Sequence, residues 1–234
     1  MTLHRSLLAL ALLAAVASPA RAAPACADAE TMIDTRDDIA VKSPDVQADA
    51  RAGIVREAFG DAKVDVVISA AVAGAFTAPG ARETAHLVQR VDPTASPVAP
   101  IDAVLVVLAE GKPMRRIGTA LGQRVDGVLR GIGKAGTDAL LLRAEAYNMG
   151  QSSARLVLVE VVGDTLVERA TFDEARTDAC DDARFGGFVE AIRVYRCGVT
   201  QAPQAWTIER LRAACVDGKA PPANAFKALV QGKP

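Results

Sequence analysis

The chain has 234 residues, of which 50% are hydrophobic, 24% charged and only 4% aromatic, and its formal net charge is −1. Its lysines and arginines are scattered along the chain, which argues against a nucleic acid partner because phosphate binding needs a concentrated basic surface. The scarcity of aromatic residues likewise argues against single-strand or polysaccharide binding by ring stacking.

Residues 1–22 have the features of a secretory leader. Arg5 precedes an apolar stretch from Leu7 to Ala17, and Ala20-Arg21-Ala22 places small residues where a signal peptidase cleaves. The apolar stretch is about 11 residues, whereas a membrane-spanning helix needs about 20. We therefore predict a signal peptide at 1–22, a periplasmic or secreted protein, and no transmembrane segment.

The four cysteines, Cys26, Cys180, Cys197 and Cys215, all follow the leader. In an oxidising compartment they are expected to form two disulfides, and no C-x-x-C spacing points to a redox or zinc site. Cys26 lies where a lipoprotein cysteine would, but residues 23–25 lack the usual leucine, and lipidation would leave an odd thiol. We predict no lipid anchor.

The mature chain begins with an acidic, extended arm at residues 23–43. Ser43-Pro44 is typical of a helix start, and Gly60 of a helix end in the left-handed conformation. Between them, apolar residues recur at steps of three and four. One amphipathic helix is predicted there, at the start of a single domain at residues 44–217.

Beyond Gly60 the pattern changes to short β-branched runs. Gly163-Asp164 is typical of a tight hairpin turn, and Glu110–Pro113 of another. Because the strands follow one another without helices, they are expected to be antiparallel. The predicted class is mostly β (α+β): an antiparallel sandwich, barrel or partial propeller with one N-terminal helix. A tail at 218–234 carries a possible helical turn at Ala225–Val230. The predicted strands span residues 64–72, 84–91, 104–108, 125–132, 156–162, 166–172, 188–195 and 206–211.

The order of the last strands bears on the disulfide pairing. If strands run near 172–180, 188–197 and 205–215, Cys180 and Cys215 finish at one end of the sheet and Cys197 at the other. Of three possible connectivities, we expect Cys180 with Cys215 and Cys26 with Cys197.

Residues 131–142 are similar to the loop and strand of FG-GAP or VCBS-type repeats, on Gly136, Asp138 and the following leucines. In those repeats, spaced carboxylates before the strand bind calcium, but the three ligand positions here hold glycine or alanine, which offer no side-chain oxygen. The resemblance implies a β-rich extracytoplasmic domain, without a calcium site in this loop.

Two groups of residues are candidates for catalysis. His86 is the one histidine beyond the leader, and on a strand it would share a face with Thr84, Val88 and Arg90, so we expect it on a partly solvated face. No nucleophile motif accompanies it, which argues against a serine hydrolase. Asp178, Asp181 and Asp182 form the densest acidic stretch, in which two carboxylates held at a set separation would act as acid and base on a glycosidic bond. The alternative is a solvated loop.

The segment Tyr147–Ser153 is predicted to be a loop on a rigid β scaffold, a common position for binding residues. Turn formation alone also explains its composition. Trp206 is interpreted as a core residue or a ligand platform. The candidate ligand residues in the loop are Asn148, Gly150, Gln151 and Ser152.

Together these features predict an exported, disulfide-stabilised β-rich protein with a non-catalytic binding or envelope-associated role. No cofactor or metal is expected, and the partner is not identified. The alternative is a hydrolase of glycans or envelope polymers that uses the carboxylates near Asp178.

Overall fold

The structure is a computed structural model that describes residues 26–38, 45–91, 103–110, 113–119, 122–181, 187–199 and 202–229. The predicted leader and the predicted helix start at Ser43-Pro44 lie outside these residues. No helix within the described ranges is long and apolar enough to cross a membrane.

The described part of the chain is mostly β, as predicted, and its strands form two antiparallel sheets with one α-helix. The larger sheet curls into a half-barrel. The strands are β1 (Ala29–Asp34), β2 (Val66–Gly74), β3 (Glu83–Arg90), β4 (Ala103–Ala109), β5 (Arg115–Thr119), β6 (Arg124–Leu129), β7 (Ala139–Asn148), β8 (Gln151–Val162), β9 (Thr165–Asp178), β10 (Phe188–Cys197), β11 (Thr207–Ala214) and β12 (Lys227–Ala228).

The helix α1 spans Ala48–Phe59, after a non-helical Gln47. It ends at Gly60, whose φ of 77° is the left-handed conformation expected of a glycine cap. Ile54, Val55 and Ala58 are buried on the small sheet. The 3.6-residue pattern therefore located this helix, although the helix begins later than Ser43-Pro44.

The smaller sheet has the order β2-β3-β4-β5 and lies between α1 and the larger sheet. Because both faces of β4 are covered, residues Ala103–Val107 are all buried and read as a continuous apolar run. Alternate residues face the helix and the larger sheet: Val104 and Val106 pack with α1, and Leu105 and Val107 pack between the sheets.

The larger sheet has the order β12-β11-β10-β9-β8-β7-β6, and β1 is a further strand that pairs with β10. β11 pairs along Phe188–Tyr195 of β10. On the other edge of β10, β9 pairs with Val189–Ala191 and β1 with Arg193–Cys197. The curl encloses a second apolar cluster that includes Phe172 and Trp206, so the tryptophan is a core residue.

Two disulfides fasten the ends of this sheet. Cys26 is bonded to Cys197, which ties the arm to β10, and Cys180 is bonded to Cys215. This is the connectivity that the strand order predicts. The tail differs from the prediction: in place of a helical turn at Ala225–Val230, a 3-10 turn at Ala223–Ala225 leads into β12, which pairs with β11.

Candidate functional site

The curl of the larger sheet brings the arm strand β1 close to β6, the last strand of the sheet path. Among the described strands, β1 pairs only with β10 and β6 only with β7. A cleft of about 390 Å³ lies between them, and we call it the seam cleft. Its lining residues are Met32, Ile33, Asp34, Thr35, Asp37, Asp126, Gly127, Val128, Leu129, Leu141 and Arg143.

One wall of the seam cleft is apolar and continuous with the core. Ile33 and Leu141 belong to the same buried cluster as Trp206, and Met32 and Leu129 pack against it. Gly127 adds no side chain to the cleft, and a Cβ built on it would have no atom within 4 Å. The cleft therefore has space for an apolar group beside this wall.

The other end of the cleft is ionic and is organised by Arg143. Only 2% of the Arg143 side chain is exposed, and 8% of that of Asp126. Arg143 Nε lies 2.8 Å from both Asp126 carboxylate oxygens, and Nη2 lies 2.6 Å from Oδ2. Its Nη1 donates to Asp38 at 3.0 Å, with Glu145 at 3.5 Å. Since the guanidinium is engaged by these carboxylates, it is a fixed part of the wall.

A second buried arginine, Arg176 on β9, fixes the arm where it crosses the sheet. Its Nη1 donates to the carbonyl oxygens of Thr35 and Arg36, at 2.7 and 2.8 Å. The Thr35 backbone N–H donates to the Ile192 carbonyl at 3.0 Å, and the Ile192 N–H donates to the Thr35 hydroxyl at 2.9 Å. The rim of the cleft is therefore held in place before any ligand binds.

The charges of this cluster change the ionisation of its members. Burial acts to raise the pKa of Asp38, but Arg143 and Arg124 outweigh it and hold that pKa below its ordinary value. Burial acts to lower the pKa of Arg143, but the hydrogen bonds and charge of Asp126 raise it above the usual range. For Arg176, burial lowers the pKa, and the nearby carboxylates offset this only in part. The pairing thus favours the charged forms of Asp38 and Arg143, whereas burial disfavours the charged form of Arg176.

Among the residues that line the seam cleft, acidic residues outnumber basic ones. Three carboxylates line it, from Asp34, Asp37 and Asp126, against the single guanidinium of Arg143. Asp34 is paired with Arg36 and Arg193, whereas Asp37 is exposed and forms no ion pair within the described part of the chain. The polar group left for a ligand is therefore the Asp37 carboxylate, whose oxygens accept hydrogen bonds from a cation.

The acidic stretch predicted for catalysis lies elsewhere. Asp178 ends β9, where its Oδ1 accepts a hydrogen bond from the Cys180 N–H at 3.0 Å and its Oδ2 lies 3.7 Å from Arg176 Nη2. Asp181 is exposed, and Asp182 lies outside the described residues. Neither Asp178 nor Asp181 lines the seam cleft, and the hydrolase hypothesis stays a prediction.

Asp178, Cys180 and Cys215 place an oxygen and two sulfurs within 4.8 Å of one another. Ligand atoms at such separations could in principle hold one metal ion. Both sulfurs, however, belong to one disulfide. A metal would need thiolates, so the grouping is explained by the disulfide and by the turn that Asp178 caps.

The predicted ligand loop Tyr147–Ser153 is mostly strand. The turn itself is two residues, Met149 and Gly150, with φ values of 49° and 84°, which is the geometry of a tight hairpin. Asn148 ends β7, and Gln151 and Ser152 begin β8, where Ser152 is the register partner of Asp178. The structure thus places one loop candidate beside one acidic candidate. The ligand role of Asn148, Gly150, Gln151 and Ser152 stays a prediction.

The expectation that His86 lies on a partly solvated face is wrong. His86 is only 6% exposed, since its face of the small sheet is the one that α1 covers. It stands between Ala71 of β2 and Val106 of β4, and its Nδ1 is buried without a hydrogen-bond partner in the described residues. Burial lowers its pKa. His86 is therefore a buried residue whose neutral form is favoured, and it lies on the far side of the small sheet from the seam cleft.

Sequence reasoning did not find the seam cleft. The sequence predicts only an acidic, extended arm for Asp34, Asp37 and Asp38, because no local pattern indicates that the arm pairs with β10. The signal that was present is Arg143, a charged residue on the face of β7 that carries buried Leu141. A charged residue in a buried stretch requires a buried partner, but the sequence does not identify that partner.

Comparison of this chain with protein-family models, with curated proteins and with solved structures finds no match.

Proposed function

We propose that the protein is an exported, non-catalytic binding protein that holds its ligand in the seam cleft. The observation that carries this proposal is the composition of the cleft: an apolar wall continuous with the core, next to three carboxylates and one fully engaged guanidinium. Clefts of roughly 300–1,000 Å³ with an apolar lining and a few placed polar groups are typical ligand sites. The ligand class that fits is an organic cation with an apolar body.

Export is supported by the two disulfides and by the apolar leader at residues 1–22. Disulfides persist in oxidising compartments and are rare in reducing ones. The bond between Cys26 and Cys197 also supports the absence of a lipid anchor, because it occupies the sulfur that a lipid would modify.

A binding role rather than a catalytic one is supported by the state of the cleft carboxylates. Burial acts to raise the pKa of Asp34, but its hydrogen bonds to Arg36 hold that pKa below the ordinary value. Asp126 is held by a bidentate pair with Arg143. Carboxylates whose oxygens are engaged by arginines are not placed to act as general acids, whereas the exposed Asp37 is left as a partner for a cation.

The test is a comparison of three probes with apolar chains of five or six carbons: n-hexylammonium, hexanoate and hexanol. Each probe has seven or eight heavy atoms, and for ligands of about that size we expect a Kd on the order of millimolar. Such a Kd is measurable by NMR titration of the amide signals of the folded protein. We expect n-hexylammonium to bind at least about tenfold more tightly than hexanoate, because the carboxylates attract one and repel the other.

Two variants place the binding in the seam cleft. Gly127→Leu fills the cleft and is expected to abolish binding, whereas Val162→Leu, a matched change at an exposed strand end, is not. Asp37→Asn is expected to weaken n-hexylammonium binding several-fold, whereas Asp65→Asn, at an exposed aspartate just before β2, is expected to leave it unchanged. Equal binding of hexanoate, or an unchanged Kd in Gly127→Leu, would contradict the proposal.

A further inference from the structure

A second cleft, independent of the seam cleft, lies at one end of the small sheet. It has a volume of about 660 Å³, and it opens where β2 ends, β3 begins and β4 ends. We call it the sheet-end cleft. Its lining residues are Ala73, Gly74, Ala75, Ala81, Arg82, Glu83, Thr84, Leu108, Ala109, Glu110 and Arg130.

The two acids at the back of the sheet-end cleft are already satisfied. Glu83 is buried and accepts hydrogen bonds from the N–H groups of Phe76 and Thr77, at 2.7 and 2.8 Å, and from the Thr77 hydroxyl. Asp138, behind the cleft, accepts from the N–H groups of Ala75 and Gly131, each at 2.9 Å. These bonds use the carboxylates to hold the loop after β2, so neither acid is free to attract a cation.

The groups left to a ligand are donors. Arg82 is exposed and forms no ion pair within the described residues. Arg130 is bonded to Asp138 through Nη1 alone, and 65% of its side chain is exposed. A guanidinium has five N–H groups, so most of those on both arginines stay available. Glu110, on the exposed rim, is a lining acid for which the described residues provide no such bonds.

The floor of the cleft allows a ligand to come close. Five lining residues are alanine or glycine, and the ring of Phe76 packs beneath Gly74 so closely that a Cβ there would lie 2.3 Å from it. The backbone at Gly74 therefore packs against Phe76 on its core side, and the small residues of the floor leave its cleft side open to a ligand. From these observations we infer that the sheet-end cleft binds a small organic oxyanion, whose carboxylate or phosphate is held by Arg82 and Arg130.

Planar guanidinium groups recognise carboxylate and phosphate through paired hydrogen bonds, each charge-assisted. The volume exceeds that of the oxyanion alone, so the ligand carries a small organic body over the alanine floor. This site differs in place and in charge preference from the seam cleft, which takes a cation. Either assignment can fail without the other.

The experiment titrates the folded protein with succinate, glycerol phosphate and the neutral isostere succinamide, with binding followed by NMR or calorimetry at low salt. We expect one or both anions to bind, succinamide to bind at least about tenfold more weakly, and the affinity to fall as salt is raised. Which anion binds more tightly identifies the head group. The proposal would be overturned if succinamide bound as tightly as the anions, or if neither anion bound at concentrations up to about 50 mM.

Variants locate the site. Arg82→Gln is expected to weaken anion binding about tenfold without loss of stability, because Arg82 has no ion-pair partner to leave behind in the described part of the chain. Ala73→Leu fills the floor without changing charge and is expected to abolish binding. Arg155→Gln is the control, since Arg155 is a half-exposed arginine paired with an aspartate outside the cleft. Anion affinity that is unchanged in both Arg82→Gln and Ala73→Leu would place binding elsewhere and overturn the proposal.

Discussion

The pair of Arg143 and Asp126 allows the sharpest stability prediction. Arg143→Met removes a guanidinium that is 2% exposed and leaves the Asp126 carboxylate, 8% exposed, without its bidentate partner. The nearest substitute, Arg124 Nε, lies 3.5 Å from Asp126 Oδ1. Loss of one member of a buried pair costs about 3–5 kcal/mol, chiefly because the other charge stays buried. We expect the free energy of unfolding to fall by that amount.

The double variant separates the charge from the packing. Arg143→Met with Asp126→Leu removes both charges and leaves apolar side chains in their place, and such replacements are often neutral. We therefore expect the double variant to be more stable than Arg143→Met alone, with a coupling energy of at least about 2 kcal/mol.

The assay is urea unfolding of the oxidised protein, with the m-value checked for each variant. Arg115→Met is the control, because the pair of Arg115 and Asp164 is exposed and pairs of that kind contribute about 0–1 kcal/mol. A loss below 1 kcal/mol in Arg143→Met, or a double variant whose loss equals the sum of the single losses, would refute the buried-pair account.

Three further predictions concern other parts of the fold. Burial lowers the folded-state pKa of His86, so its neutral form contributes stability that is present above the unfolded pKa of about 6.5 and is lost as pH falls below it. The melting temperature should therefore drop from pH 7 to pH 5 in the wild type and drop less in His86→Leu. Equal pH dependence of the two melting temperatures would contradict this. Replacement of Cys26 and Cys197 by serine opens a loop of 171 residues and is expected to cost up to about 5 kcal/mol by the loop-entropy argument; unchanged urea midpoints would show that the bond does not constrain the unfolded chain. Gly133→Ala places a Cβ 2.1 Å from Thr137 Oγ1 and 3.0 Å from its carbonyl oxygen, so it should destabilise by about 1–3 kcal/mol, and a wild-type melting temperature would refute the predicted clash.

Local patterns determined most of what could be predicted about the fold. The cap at Gly60 and the apolar spacing of α1 are properties of neighbouring residues, and both correspond to the structure. The hairpin at Gly163-Asp164 follows from turn chemistry in the same way. The strand order of the last three strands was sufficient to pair the cysteines.

Features that depend on long-range contacts could not be read from the sequence. The pairing of the arm with β10 joins residues more than 150 positions apart, and nothing near Asp34 or Asp38 indicates it. The burial of His86 depends on α1 lying over that face of the small sheet, whereas the alternation of the strand alone is equally compatible with solvent. The seam cleft combines both kinds of contact, so its residues were present in the sequence without a pattern that connects them.

The most direct test of the seam cleft as the ligand site is a crystal structure of the protein with bound n-hexylammonium. The account predicts its hydrocarbon chain against the wall formed by Leu129 and Leu141, with the ammonium within about 3 Å of a carboxylate of Asp37 or Asp126, a normal charge-assisted hydrogen bond. Probe density at another surface, with the space between β1 and β6 empty, would contradict it.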